Sequence, residues 1–171
     1  MPNKYNRVEA VNYAIKYALE PNKKYKYFQS NNENGGDCTN FVSQCLRAGG
    51  APLDYNNVRP WWYDMKRGKA SICWAVAHSL YWYLKINQSM NRNVIKGVEV
   101  EDISKLEIGD VIFYENFNNT IFHAAIITSF IEISGNKEPR ISQHTYNQLN
   151  ETYKKSYDYK KAHFLKIILG A

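Results

Sequence analysis

Cys38 stands in Gly35-Gly36-Asp37-Cys38-Thr39-Asn40, followed by Phe41, Val42, Cys45, Leu46 and a closing Gly49-Gly50. Cys38, Phe41, Val42, Cys45 and Leu46 recur at helical spacing, so Cys38 begins a helix on its core-facing side. Free N–H groups and the positive end of the helix dipole favour a thiolate at such a position, the nucleophile of acyl-transfer chemistry. A cysteine nucleophile needs a base and a third group to orient that base. His123 lies near the start of a strongly apolar strand, where an unpaired polar side chain is costly, and His144 lies on the next strand. The expectation is that His123 takes the Cys38 proton, giving a thiolate–imidazolium pair, and that His144 holds the His123 ring. The backbone N–H of Cys38 would help to hold the oxyanion. His78 reads as packed or solvated, His163 has no comparable setting, and Cys45 reads as core packing.

The elements that must position these residues follow from periodicity. Tyr5 to Leu19 reads as a helix stopped by Pro21, and a polar loop carries Tyr25, Tyr27 and Phe28 up to Gly36. Ala51 to Lys69 is a loop with Tyr55, Trp61, Trp62 and Tyr63. Two adjacent tryptophans in a loop cannot both point the same way, so one is expected to face a ligand. A third helix is expected from Ser71 to about Ile86. Beyond Val94 the pattern turns to strands: Val98 to Val100, Val111 to Tyr114, Thr120 to Ile133, Arg140 to Thr145 and Ala162 to Leu169. Turns are expected at Asn116 to Asn119 and Ser134 to Pro139, and Thr152 to Asp158 reads as a polar connection. Helices first and antiparallel strands second make the class α+β, in one domain over residues 1–171.

Composition narrows the partners. The three cysteines build no disulfide framework, because Cys38 and Cys45 stand about 10 Å apart by helical rise. The net charge of +6 favours a polyanion, but Lys and Arg are scattered and match no nucleic-acid motif. Aromatic residues make up 15% of the chain, more than a core of this size needs, and suit a groove for a sugar-bearing or peptide ligand. Met1 to Glu9 has no apolar stretch of signal-peptide length, and no run is long enough to span a membrane. No cofactor is implied. A metal site from Cys38, His123 and His144 lacks the close ligand pairs of common zinc sites.

Asp37-Cys38-Thr39-Asn40-Phe41-Val42-Ser43-Gln44-Cys45-Leu46 with the following Ala48-Gly49-Gly50 resembles the amidase domain of Firmicutes cell-wall proteins. That family is similar to the NlpC-type, papain-like cysteine hydrolases, whose Asp-Cys-Ser-Gly motif starts the same helix. Leu106 to Tyr114, His123-Ala124-Ala125-Ile126-Ile127-Thr128 and Ile141-Ser142-Gln143-His144-Thr145 resemble the segments bearing the family's base and third polar residue. The resemblance implies a papain-like fold, with N-terminal helices on a C-terminal antiparallel sheet or partial barrel. It implies Cys38, His123 and His144 as the catalytic set, with Asp37, Tyr27, Trp61 and Trp62 at the oxyanion or substrate site. Tyr25 and Tyr27 are both candidates for the tyrosine that shapes the oxyanion site, and Thr39-Asn40 replaces Ser-Gly, which alters the expected groove. The implied activity is hydrolysis of an amide in peptidoglycan, either N-acetylmuramoyl-L-alanine or a stem-peptide bond, as in autolysins and endolysins. The implied enzyme is a monomer working at the wall or outside the cell, exported by another route or as part of a longer chain. A wall-binding module without chemistry and a cysteine acyltransferase are the alternatives.

Overall fold

The computed structural model describes residues 4–30 and 36–170. Helix α1 spans Arg7–Tyr17 and is capped by Asn6, whose side chain accepts from the Glu9 amide at 3.1 Å. Its buried side is small, Ala10, Val11 and Ala14, which lets it lie close against α2, Cys38–Ala48. Gly50, at φ +99°, turns the chain out of α2 through the left-handed region that glycine enters freely. A short hairpin follows, β1 (Tyr63–Asp64) with β2 (Lys69–Ala70).

The single helix expected from Ser71 to Ile86 is two helices, α3 (Ile72–Ala75) and α4 (Ala77–Ser89), broken where Val76 is extended. Ser71 does not cap α3, because its hydroxyl instead accepts from the Trp62 amide at 3.0 Å and ties down the preceding loop. The break divides the expected apolar stripe. Ile72 and Val76 are exposed, whereas Leu80, Tyr83 and Leu84 are fully buried.

The rest of the chain builds β3 (Ile95–Val100), β4 (Val111–Glu115), β5 (Ile121–Ile133), β6 (Asn136–Gln143), β7 (Gln148–Thr152) and β8 (Lys161–Leu169). They form one open antiparallel sheet in the order β3-β8-β4-β5-β6-β7. The helices cover one face through Phe41, Val42, Leu80, Leu84, Phe113 and Ala124, among others. A smaller apolar cluster with Leu106, Ile112, Ala125, Ile127 and Ile141 covers the other. Cover on both faces explains why β5 is apolar on both sides, a pattern that antiparallel sheets with a wet face avoid. Asp110, fully buried, joins the two halves: it accepts from the Ile167 amide at 2.9 Å and from the Arg7 guanidinium at the start of α1. Among the described residues no helix is long and apolar enough to cross a membrane.

The expected turn from Ser134 to Pro139 is shorter, since Ser134 and Gly135 both take positive φ and β6 resumes at Asn136. This is the geometry of a two-residue hairpin loop. The approach of α4 to the sheet depends on Gly97 in β3. A Cβ added there would stand 2.8 Å from Leu165 Cδ2 and 3.3 Å from Leu84 Cβ. Gly97→Ala is expected to cost about 1–3 kcal/mol by overpacking, read as a lower urea midpoint at unchanged slope.

Candidate active site

Cys38 opens α2 and is 3% exposed. The residue before it fixes where it sits. Asp37 is equally buried, yet its carboxylate does not cap the helix it precedes. One oxygen accepts from the Phe28 amide at 2.9 Å and the Asn40 side-chain amide at 2.8 Å, and the other is bonded to His144 Nδ1. The Asp37 N–H donates to Thr145 Oγ1 at 2.8 Å. Asp37 therefore clamps the incoming loop, the start of α2 and the β6–β7 turn together. Gly36 stands at φ +87°, and a Cβ on it would lie 2.4 Å from Thr145 Oγ1, which accounts for glycine at that position. Gly35 and residues 31–34 of the expected polar loop lie outside the described residues. Asn40 donates to the Lys26 carbonyl at 2.9 Å and accepts from Trp74 Nε1 at 2.8 Å. It is fully buried and serves the core.

His123 comes from β5 and is 5% exposed. Its Nε2 lies 2.7 Å from Gln143 Oε1. The Gln143 amide nitrogen donates to the Tyr146 carbonyl at 3.1 Å, which turns the amide oxygen toward the ring. Nε2 therefore carries the hydrogen, and Nδ1 is left as the basic nitrogen. The backbone amide of Ala124, the next residue along, faces the Cys38 sulfur, so the thiol sits against β5 beside His123. Thr39 Oγ1 is 3.6 Å from the same sulfur.

Burial sets the charge state of this pair. It pushes the Cys38 thiol up, against hydrogen bonds from Thr39 and the Ala124 amide that favour the thiolate. It pushes the His123 imidazole down to about 4, helped by the positive charge of Lys155 and opposed by the Gln143 bond. At neutral pH the proton rests on sulfur. The expected resting thiolate–imidazolium pair is thus corrected: donors at a helix start do not outweigh desolvation at a site this dry.

The orienting role expected of His144 is corrected as well. His144 lies one residue past β6, and its Nε2 is 2.7 Å from the Tyr17 carbonyl while Nδ1 is bonded to Asp37. Phe41 stacks on the ring with centroids 4.0 Å apart. Both nitrogens are used on the side of the helices, so neither reaches His123. Adjacent residues leaving a strand point to opposite sides, and this puts Gln143 where His144 was expected. A metal set of Cys38, His123 and His144 loses its third member for the same reason.

The aromatic candidates divide. Tyr27 is at the site, its ring centroid 5.5 Å from that of His144 and its hydroxyl 3.2 Å from Asn147 Oδ1. Tyr25 packs on Tyr63, with centroids 4.8 Å apart, and on Trp74. Trp61 is fully buried, donates to Ser43 Oγ at 3.0 Å and packs on Trp74, so its expected contact with a ligand is corrected to a place in the core. Trp62 is half-exposed, stacks on Tyr55 and lines a cavity of about 630 Å³ with Arg59, His78 and Trp82. That cavity contains neither Cys38 nor His123. A cavity of about 400 Å³, lined by Gln143, Tyr146, Lys155 and Tyr157, also lacks both residues but includes the glutamine bonded to His123. Chemistry, not size, selects the second. His163, without a setting in the sequence, lies between two carboxylates on β8, its Nε2 2.7 Å from Glu115 and its Nδ1 bonded to Glu99.

Gln143, Lys155 and Tyr157 were not among the residues expected here. Gln143 lay within the motif beside His144, and only the strand's end decides between the two. Lys155 and Tyr157 come from the polar connection before β8, which carries no periodic signal. Burial and the Cys38 charge push the Tyr157 hydroxyl up to about 12, a sign of how near the thiol it lies.

The chain is 38% identical over 146 residues to the uncharacterized protein YhbB of Bacillus subtilis (strain 168), a match covering 84% of this chain and 42% of that protein. It is 34% identical over 155 residues to the uncharacterized protein YjcM of the same organism, covering 85% and 32%. The chain thus spans less than half the length of these relatives. No solved structure matches it. The family described as "Putative amidase domain" matches residues 4–168, a span that takes in α1, the Cys38 helix, the His123 strand and nearly all of β8. The chain belongs to that amidase-domain family.

Proposed function

We propose that the chain is a cysteine amidohydrolase of papain-like organisation, with Cys38 as nucleophile, His123 as base and Gln143 as the group that orients the base. The observation that carries this reading is the buried His123 Nε2–Gln143 Oε1 bond of 2.7 Å, which leaves Nδ1 as the basic nitrogen of a ring one residue from the amide that faces the thiol. Family membership supports amide hydrolysis as the reaction class.

The resting pair is neutral, so the sulfur is deprotonated as it attacks. His123 Nδ1 takes the Cys38 proton while the C–S bond forms, and the carbonyl electrons move to oxygen. Backbone N–H groups at the α2 start stabilise that oxyanion. The tetrahedral intermediate collapses, the C–N bond breaks and His123 gives its proton to the leaving amine. Water, deprotonated by His123, then hydrolyses the thioester and frees the thiol. The Gln143 bond keeps the ring in the one tautomer that can do this.

The substrate proposed is a bacterial cell-wall peptide, cut at the muramoyl–alanine amide or within the stem, at the wall or outside the cell. The basic charge and the aromatic residues beside the site suit such an anionic, sugar-bearing ligand. Purified walls incubated with the protein are expected to release new amino groups, and mass spectrometry of the fragments identifies the bond. Activity should survive chelators and vanish on thiol alkylation. Wall binding without release would favour a binding module, and transfer of the acyl group to an added amine in place of water would mark an acyltransferase.

A further inference from the structure

Lys155 is the charged side chain bonded to Gln143, and the mechanism above leaves it without a task. It comes from the connection between β7 and β8, and its ammonium donates to Gln143 Oε1, the same oxygen that faces His123 Nε2. An amide oxygen has two lone pairs, and here each has a separate donor. The ammonium also lies 5.0 Å from the centroid of the Tyr114 ring, and Tyr114 in turn anchors the connection by donating to the Tyr153 carbonyl at 2.6 Å. Lys85, Lys154, Lys160 and Lys166 each face a glutamate. Lys155 makes no ion pair with a carboxylate among the described residues, although Glu151 lines the same cavity and Lys155 is only half-exposed. A partly desolvated cation bonded to one neutral oxygen has unused attraction for an anion.

The anion it faces is the one the reaction creates. Cys38 acts on Lys155 through its charge, and a negative sulfur favours the charged ammonium. The attraction is mutual, so the ammonium favours the thiolate. The other titratable groups around the sulfur are Asp37 on its own element, Tyr27 from the incoming loop, His123 on β5 and Tyr157 beside Lys155. Asp37 opposes the thiolate, the tyrosines carry no charge at neutral pH, and His123 is neutral at rest. Burial lowers the Lys155 ammonium to about 8, so it is mostly charged at pH 7.

We propose that Lys155 is a positioning residue of the thiol site: it holds the Gln143 oxygen that sets the His123 tautomer and supplies the positive charge that favours the Cys38 thiolate. The proposal rests on the cysteine-hydrolase reading, but its test reads the thiol directly and needs no substrate. The rate of Cys38 alkylation by iodoacetamide is measured against pH in the whole chain, with mass spectrometry reporting modification at Cys38 alone. Lys155→Gln keeps a donor for Gln143 and removes the charge, whereas Lys155→Arg keeps both. Lys155→Gln is expected to slow alkylation at pH 7, where the ammonium is charged, about tenfold, and to approach the wild-type rate once the pH passes the Lys155 value of about 8. Lys155→Arg is expected to stay within about twofold of the wild type at pH 7, because guanidinium is charged there too. A Lys155→Gln rate at pH 7 that coincides with the wild type overturns the proposal. So does an equal slowing in both variants, which would mark a packing role without a charge requirement. If Lys155→Gln does not fold, the proposal is likewise overturned when Lys155→Arg fails to keep the wild-type rate at pH 7. Failure of wall hydrolysis alongside the expected alkylation rates would leave Lys155 in place and discard only the substrate.

Discussion

Cys38→Ser is expected to lower the rate of amide cleavage on the order of 10⁴-fold or more, leaving the fold intact. Serine fills nearly the volume of cysteine in a position that is 3% exposed, so the thermal midpoint should move little. The alkoxide it would have to form is much harder to reach than a thiolate, and His123, held near 4 by burial, is a weak base for that proton. The comparison is made on release of amino groups from purified walls, with circular dichroism confirming that both proteins are folded. Retention of as much as a tenth of the wild-type rate would remove Cys38 from the mechanism. His78 and His163 are both bonded elsewhere, to the Ile121 amide at 3.1 Å and to two glutamates, and neither offers a substitute base.

The largest loss of stability is expected one residue earlier. Asp37→Ala strands the Phe28 amide, the Asn40 amide and His144 Nδ1 in a region closed to water. Leaving three buried donors without their acceptor costs on the order of 3–5 kcal/mol, and at this chain length that corresponds to a fall in Tm of roughly 10 °C. Asp37→Asn keeps the shape and one acceptor oxygen and should lose distinctly less. Urea denaturation of the two variants against wild type settles the order. A loss below about 1 kcal/mol for Asp37→Ala would mean that the carboxylate is not the clamp that its three-way bonding suggests. The same variant should also lose activity in the folded fraction, because Cys38 follows the clamped residue directly.

Much of this architecture was legible before any coordinates. The apolar face of α2 placed Cys38 at a helix start, and the unbroken apolar run of β5 marked His123 as a polar residue in an expensive position. What was not legible turned on short distances along the chain. Nothing in Ile141 to Thr145 says that β6 ends at Gln143, yet that boundary decides which of two neighbouring polar side chains meets His123. Val76 interrupts a good helical pattern, and Ser71 is engaged by the Trp62 amide instead of capping α3, a tertiary contact that local propensity does not contain. β7 is a polar edge strand, with Gln148, Asn150 and Glu151 partly or fully exposed, so it has no apolar alternation to reveal it. Lys155 reaches the site only because the connection beyond β7 folds back over Tyr114. Trp61 and Trp62 were rightly expected to diverge, but the choice of which one is buried rests on Ser43 and Trp74, far off in the chain.

The bond between Asp37 and His144 joins residues 107 positions apart. Its consequence is temporal. Cys38 is made before His123, Gln143 and Lys155, the residues proposed as its base, orienting amide and ammonium. Contacts of such long sequence separation form late, since the entropy of closing the intervening loop must be overcome before they contribute. A chain synthesised only as far as α2 therefore carries an ordinary cysteine, and the proposed reactive thiol waits for the segments that carry those three side chains.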